Sequence, residues 1–212
     1  KITSRSFLFE QAHGTMLDPV FGTYPYTVAP PTISSSVFPS VGLAHRTMSV
    51  LGVVKAYTTR VGNGPFPTEL FDATGDTIRA QGNEFGTVSK RPRRCGWLDI
   101  PVLRYAVRLN GATSLAITKL DVLSGIKTLK MCVGYKIGRK IVKEFPSEIS
   151  LLPECKPVYQ SFPGWNADIR QVKKRSSLPK EAKQYLLFLE KQLNVPMQYL
   201  SVGAERKALI KS

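Results

Sequence analysis

Ser114-Leu115-Ala116-Ile117-Thr118-Lys119-Leu120-Asp121 is the stretch on which the fold turns. Ser114 to Thr118 reads as a buried strand, too short for a helix and bounded by polar residues. The Thr118-Lys119-Leu120-Asp121 end then falls where open α/β sheets bind ligands, outside the carboxyl ends of their strands. An Asp there can accept two hydrogen bonds from the N1 and N2 groups of guanine, a donor pair that adenine lacks. The Lys stem can lie along the base face. A structural ion pair is the plainer reading of the same four residues.

Working outward, Leu98 to Leu109 has the pattern of a helix. Pro101 sits where only a first turn tolerates it, and Asn110-Gly111 supplies the stop. Leu129 to Lys136 reads as a second strand. Ser177 is placed to cap a helix running to Leu193, with Ala182, Tyr185, Leu186, Leu189 and Leu193 at helical spacing as core contacts. Pro196 stops it, and Met197 to Val202 reads as a final strand. Upstream, Val50, Leu51, Val54 and Ala56 cluster on one side of a helix expected over Thr47 to Arg60, broken by Val61-Gly-Asn-Gly-Pro-Phe-Pro67. Ser6 to Glu10 reads as a short buried strand and Gln11 to Thr15 as a turn. Gly22 to Ser40, with Pro25, Pro30, Pro31 and Pro39, is expected to be irregular. Strands alternating with helices imply an α/β fold.

The chain has 212 residues, 42% hydrophobic and 21% charged, ordinary values for one large globular domain or two small ones. No run of eighteen apolar residues occurs, and no signal peptide is recognisable. The first residue is Lys, which suits an internal start as well as processing. Cys95, Cys132 and Cys155 are widely spaced with no CxxC pair, so reduced thiols are expected rather than a zinc site. The net charge of +15 attracts polyanions, from small phosphorylated ligands to nucleic acid.

Further groups of residues carry possible chemistry. Lys90-Arg91-Pro92-Arg93-Arg94 follows the loop Phe85-Gly-Thr-Val-Ser89, and guanidinium groups clamp phosphate or carboxylate through paired hydrogen bonds. Ser201-Val202-Gly203 follows the last expected strand, where Gly lets backbone approach a ligand. Arg60 to Glu69 combines two glycines and two prolines in a rigid exposed wall. A solvated basic patch, an ordinary turn and a structural loop are the plain alternatives. There is no GxxxxGK[ST] and no GxGxxG, and His13 and His45 form no nucleophile-and-base arrangement.

Taken in order, these pieces resemble the adenylosuccinate synthetase family. The matching runs include Phe9-Glu10, Gly14-Thr15, Gly22-Thr-Tyr-Pro-Tyr26, Lys55 to Gly62, Gly64 to Leu70, Gly82 to Gly86 and Arg91 to Asp99. They continue through Arg104 to Val107, Thr118 to Leu123, Pro163-Gly-Trp165 and Ser201 to Gly203, so the resemblance covers essentially the whole chain. It implies the C-terminal portion of that family's P-loop-like fold, a mixed, mainly parallel sheet with flanking helices over residues 1–212. The implied activity joins IMP to L-aspartate at the expense of GTP, with magnesium as cofactor. Lys119, Leu120 and Asp121 would then hold guanine, with Ser201, Val202 and Gly203 lining the same pocket, and Arg93 would contact the GTP phosphates or the reaction centre. His13, Val28, Val61 and Arg91 would line the IMP site. Thr87, Val88, Ser89, Lys90, Arg91, Pro92 and Arg93 would form the aspartate loop.

The family's phosphate loop, catalytic Asp, catalytic His and magnesium ligands belong to an N-terminal half that this sequence does not contain. The chain alone is therefore expected to be inactive and poorly soluble. The intact protein is expected to be a cytoplasmic homodimer. Three positions depart from the family pattern: His13 stands for a Gln, Val28 for a Thr and Val88 for a Thr. Valine cannot donate a hydrogen bond, so a diverged relative acting on another purine monophosphate, or a non-catalytic nucleotide-binding protein, is the first alternative. A basic nucleic-acid-binding module is the second. It is disfavoured because the aromatics near the basic run, Phe85 and Trp97, fit the ligase pattern instead.

Overall fold

The computed structural model of the protein describes residues 6–86 and 90–212. Helix α1 is a single turn, Val37–Ser40, closing the irregular proline-rich segment. Strands β1 (Leu51–Lys55) and β2 (Thr58–Arg60) follow, then helix α2 (Ala73–Gln81). Short strands β3 (Arg94–Gly96) and β4 (Leu98–Asp99) lead into helix α3 (Ile100–Asn110) and strand β5 (Ser114–Thr118). Strands β6 (Thr128–Ile137), β7 (Lys140–Val142) and β8 (Lys156–Pro163) precede helix α4 (Lys180–Leu193). Strands β9 (Met197–Ser201) and β10 (Leu209–Lys211) end the chain.

Three sheets share these strands. The first runs β1-β5-β9-β10 and is parallel across its first three strands, with β10 antiparallel at the edge. The second joins β4 to β6 in parallel and pairs β6 with β7 and β8 antiparallel. The third is the β2–β3 pair. Mixed sheets with flanking helices are the expected α/β architecture.

Local chemistry explains the helices. Asp99 caps α3 by accepting from the Val102 amide at 3.2 Å, Pro101 lies in the first turn, and Gly111 takes the left-handed stop at φ 59°. Asp72 caps α2 by accepting from Thr74 and Gly75, a helix the periodicity did not reveal. In α4, Ala182, Tyr185, Leu186, Leu189 and Leu193 all face the core, as the spacing predicts. The Tyr185 hydroxyl donates to the Ala56 carbonyl at 2.8 Å, pinning the helix to the carboxyl end of β1.

Several expectations are corrected. The Thr47–Arg60 helix is β1 and β2, because Leu51 to Lys55 pair in parallel with Ser114 to Thr118. Gly52 and the β-branched pair Val53-Val54 are poor helix formers that suit a pleated strand. Ser6 to Glu10 forms no strand and is not buried: Leu8 is 96% exposed. Ser177 does not cap α4, since it lies in a 3-10 turn and Pro179 holds the cap position. Met197–Ser201 is not the final strand, because β10 pairs back against it.

The main core runs from Tyr57 and Ile78 through Ile117 and Leu120 to Leu189 and Leu200. A smaller cluster around Cys132, Tyr135 and Phe145 lies under the second sheet. Cys95, Cys132 and Cys155 are all buried and free. Among the described residues no helix is long and apolar enough to cross a membrane.

Candidate functional site

Parallel pairing of β1, β5 and β9 brings their carboxyl ends to one edge. Lys55 pairs with Thr118, and Ile117 with Leu200. Lys119, Leu120 and Asp121 therefore leave the sheet beside Ser201, Val202 and Gly203. Lys119 adopts the left-handed conformation, φ 59°, which turns the chain into the 3-10 segment Leu120–Leu123. Leu120 and Val202 are fully buried, so they offer the site backbone only. The Ser201 hydroxyl donates to the Gly203 carbonyl at 2.9 Å, and a β-carbon at Gly203 would press on Ala208 at 3.1 Å. Burial raises the Asp121 carboxyl above the usual range, against the pull of Lys119 and Arg170.

Beneath this edge lies Glu84, with no exposed side chain. Its Oε1 accepts from the Tyr57 hydroxyl at 2.6 Å and the Lys55 ammonium at 2.7 Å. Its Oε2 accepts from Arg93 Nη1 at 2.8 Å and from Lys55 at 2.8 Å. Lys119 Nζ stands 3.6 Å from Oε1 and donates to the Gly82 carbonyl. Burial alone would raise the Glu84 carboxyl, but the donors from Lys55, Tyr57 and Arg93 outweigh it and hold the group ionised below its usual range. Burial conversely lowers the Lys55 ammonium, partly offset by Glu84.

Glu84 also opens a hairpin that carries the basic run. The Arg93 amide donates to the Glu84 carbonyl at 2.9 Å and the Gly86 amide to the Arg91 carbonyl at 2.8 Å. A cavity of about 510 Å³ is lined by Asn83, Phe85, Gly86, Lys90 and Arg93. Among the described residues Arg93 Nε is buried without a hydrogen-bond partner. Lys90, Arg91 and Pro92 lie exposed beside it. Thr87, Val88 and Ser89 of the expected aspartate loop lie outside the described residues.

The remaining predicted residues lie on neighbouring loops. Arg94 donates to the carbonyls of Gly62 and Gly64 and pairs with Glu69, fixing the exposed Val61 segment against β3. Arg60 donates to Thr23 Oγ1 at 2.9 Å and to the Tyr26 carbonyl at 3.1 Å, joining the Val28 loop to the same wall. Asp18 organises that loop, accepting from the amides of Val20, Phe21 and Thr32 at 2.8–3.0 Å. His13 is exposed at φ 67° on a stretch tied to it by the Thr32 hydroxyl, which donates to the Gly14 carbonyl. Lys55, Tyr57, Arg60, Glu69 and Glu84 were not singled out from sequence. They lie within quoted motifs, but their partners are up to 37 residues away.

Among the described residues no group of three His, Cys, Asp or Glu could hold a metal. Glu84 and Glu69, the carboxylates that pair with the basic run, are both occupied by cations. These residues do not fit a magnesium site, and no step is assigned through one.

An adenylosuccinate synthetase family model matches residues 2–210. The adenylosuccinate synthetase of Thermodesulfovibrio yellowstonii is 50% identical over 98% of this chain and 49% of its own length. That of Carboxydothermus hydrogenoformans is 48% identical over the same shares. The chain thus spans about half the length of the curated relatives it matches. The structure of fully ligated adenylosuccinate synthetase from Plasmodium falciparum superposes with a TM-score of 0.93 at 43% identity, covering 96% of this chain and 49% of that one. A cyanophage S-2L succinoaminodeoxyadenylate synthetase shares the fold at a TM-score of 0.57 and 16% identity, over 95% of this chain and 45% of its own. A family model spanning nearly every residue, joined to a matching backbone, leaves one conclusion: the chain belongs to the adenylosuccinate synthetase family.

Proposed function

We propose that residues 1–212 form the C-terminal, base- and dicarboxylate-binding part of a ligase that joins IMP to L-aspartate using GTP. One observation carries this reading. Lys119, Asp121 and Ser201 to Gly203 converge at the carboxyl ends of adjacent parallel strands, where an open α/β sheet binds its ligand. There the Asp121 carboxylate accepts from the guanine N1–H and N2–H, and the Lys119 stem covers the base.

Arg93 keeps Nη1 on Glu84 while its side chain, 28% exposed, faces the site where a ligand anion would enter. With Lys90, Arg91 and Pro92, and with Thr87, Val88 and Ser89, it forms the aspartate and phosphate side of the site. Paired guanidinium bonds suit both anions. Arg91 also serves the IMP side, with His13, Val28 and Val61. Magnesium, which the family resemblance implies, would supply charge neutralisation to the GTP phosphates. Its ligands, the phosphate loop and the catalytic Asp and His are supplied from outside these residues.

The apolar surface supports a larger assembly. Val53 on edge strand β1 is 72% exposed and Phe71 is 90% exposed, a poor surface to leave in water. The isolated chain is accordingly inactive and sparingly soluble, and the intact protein works as a cytoplasmic homodimer.

The test is phosphate release by the product of the complete reading frame with GTP, magnesium and IMP, with and without aspartate. Aspartate-dependent release supports the ligase. Val28 and Val88, which cannot donate hydrogen bonds, favour a second reading in which another purine monophosphate replaces IMP. Release with a 2-amino analogue and not with IMP selects that reading. No release with either rejects both.

A further inference from the structure

Glu84 touches no substrate in the reading above, yet it joins both halves of the site. One carboxylate faces three cations, Lys55, Arg93 and Lys119, whose side chains remain 26%, 28% and 37% exposed. A buried carboxylate needs one such partner for neutrality. The surplus of two positive charges sits at the rim, where an anion would enter.

The two oxygens divide the work. Oε2 fixes Arg93 through Nη1, on the side of the aspartate loop. Oε1 faces Lys119, on the side of the base. The same turn supplies the Gly82 carbonyl as the acceptor for Lys119, and the Tyr57 hydroxyl locks Oε1 from below. We propose that Glu84 is a positioning residue that holds the Lys119 ammonium and the Arg93 guanidinium in one fixed geometry, coupling the base end of the site to its phosphate and aspartate end. The proposal rests on the ligase reading for its ligands. A purely scaffolding Glu84, tying α2 to β1 and β3, is the competing account.

The two accounts separate by experiment on the complete reading frame. Calorimetry gives the Kd for GTP without turnover, and phosphate release gives KM and kcat. For Glu84→Gln, which keeps the shape and removes the charge, the Kd for GTP in folded protein rises tenfold or more, the KM for aspartate rises with it, and kcat falls. Combined with Lys119→Met, the two losses in GTP affinity fall short of multiplying by fivefold or more, because Glu84 acts through that lysine. Scaffolding instead lowers the melting temperature and leaves Kd and KM unchanged, which overturns the proposal.

If Glu84→Gln does not fold, Glu84→Asp and the pair Arg93→Met and Lys119→Met replace it. Strictly multiplicative effects of Arg93→Met and Lys119→Met on the Kd for GTP also overturn the coupling. Wild-type protein that binds GTP without aspartate-dependent release defeats the ligase reading alone, since the binding cycles still test Glu84. Wild-type protein that does not bind GTP overturns both.

Discussion

Asp99 is a carboxylate sealed inside the protein, and replacing it with Asn tests how the second sheet tolerates that charge. Its two oxygens both accept from the Tyr135 hydroxyl at 2.7 Å, and Oδ1 also caps α3. Burial pushes the carboxyl from 3.8 up to about 6, opposed by the Tyr135 and Val102 donors. The folded state therefore binds this proton more tightly than the unfolded chain. At about 1.36 kcal/mol per pH unit, the difference amounts to about 3 kcal/mol.

The sign follows from the raised value. The stabilisation is complete below about pH 4 and is lost as the pH rises through about 6. Asp18, Glu84 and Glu190 are lowered and shift stability the opposite way, so the total curve hides this contribution. The difference between wild type and Asp99→Asn isolates it. The amide keeps an oxygen for Tyr135 and Val102 and carries no charge. Urea unfolding in steps from about pH 4 to about pH 8 should show near-equal stabilities at the acid end. Asp99→Asn should lead by roughly 1–3 kcal/mol above about pH 6. A gap that stays constant across the range would refute the claim that Asp99 is buried and titrates late.

Three other perturbations have defined outcomes. On the proposed reading of Asp121 as the guanine acceptor, Asp121→Asn places an N–H against a guanine donor, so KM for GTP in the intact protein should rise by roughly tenfold to a hundredfold, while xanthosine triphosphate, with an acceptor at position 2, gains. Leu189→Ala empties a fully buried position in α4 and should cost about 2–5 kcal/mol in urea melts, with the fold retained. Gly164→Ala would drive a β-carbon into the Ile126 carbonyl and should lower stability by more than about 2 kcal/mol, whereas Gly14→Ala, with open space around it, should be neutral.

Elements dominated by local patterning were legible before any coordinates. Ala182, Tyr185, Leu186, Leu189 and Leu193 of α4 repeat at helical spacing and all enter the core. The α3 stop at Asn110-Gly111 and the β5 bounds follow from turn chemistry and from a short apolar run. The motifs proposed to hold guanine and anions could be singled out because each is contiguous: Lys119 to Asp121, Ser201 to Gly203 and Lys90 to Arg94.

Sequence alone therefore settled the α/β class and the family, because those properties reside in local periodicity and in contiguous runs. Tertiary structure decided the rest. Val50 to Ala56 satisfies a helical stripe as well as a strand, and only parallel pairing with Ser114 to Thr118 chooses between them. Phe7 to Phe9 has the apolar content of a strand, yet these residues stay exposed. The role of Glu84 was invisible for the same reason. A lone acid beside a basic run reads as a surface charge until the fold delivers Lys55 from β1, Tyr57 from the turn after it and Lys119 from just beyond β5 to its two oxygens. Charge complementarity across sequence distance has no periodic signature, so only the packed chain reveals it.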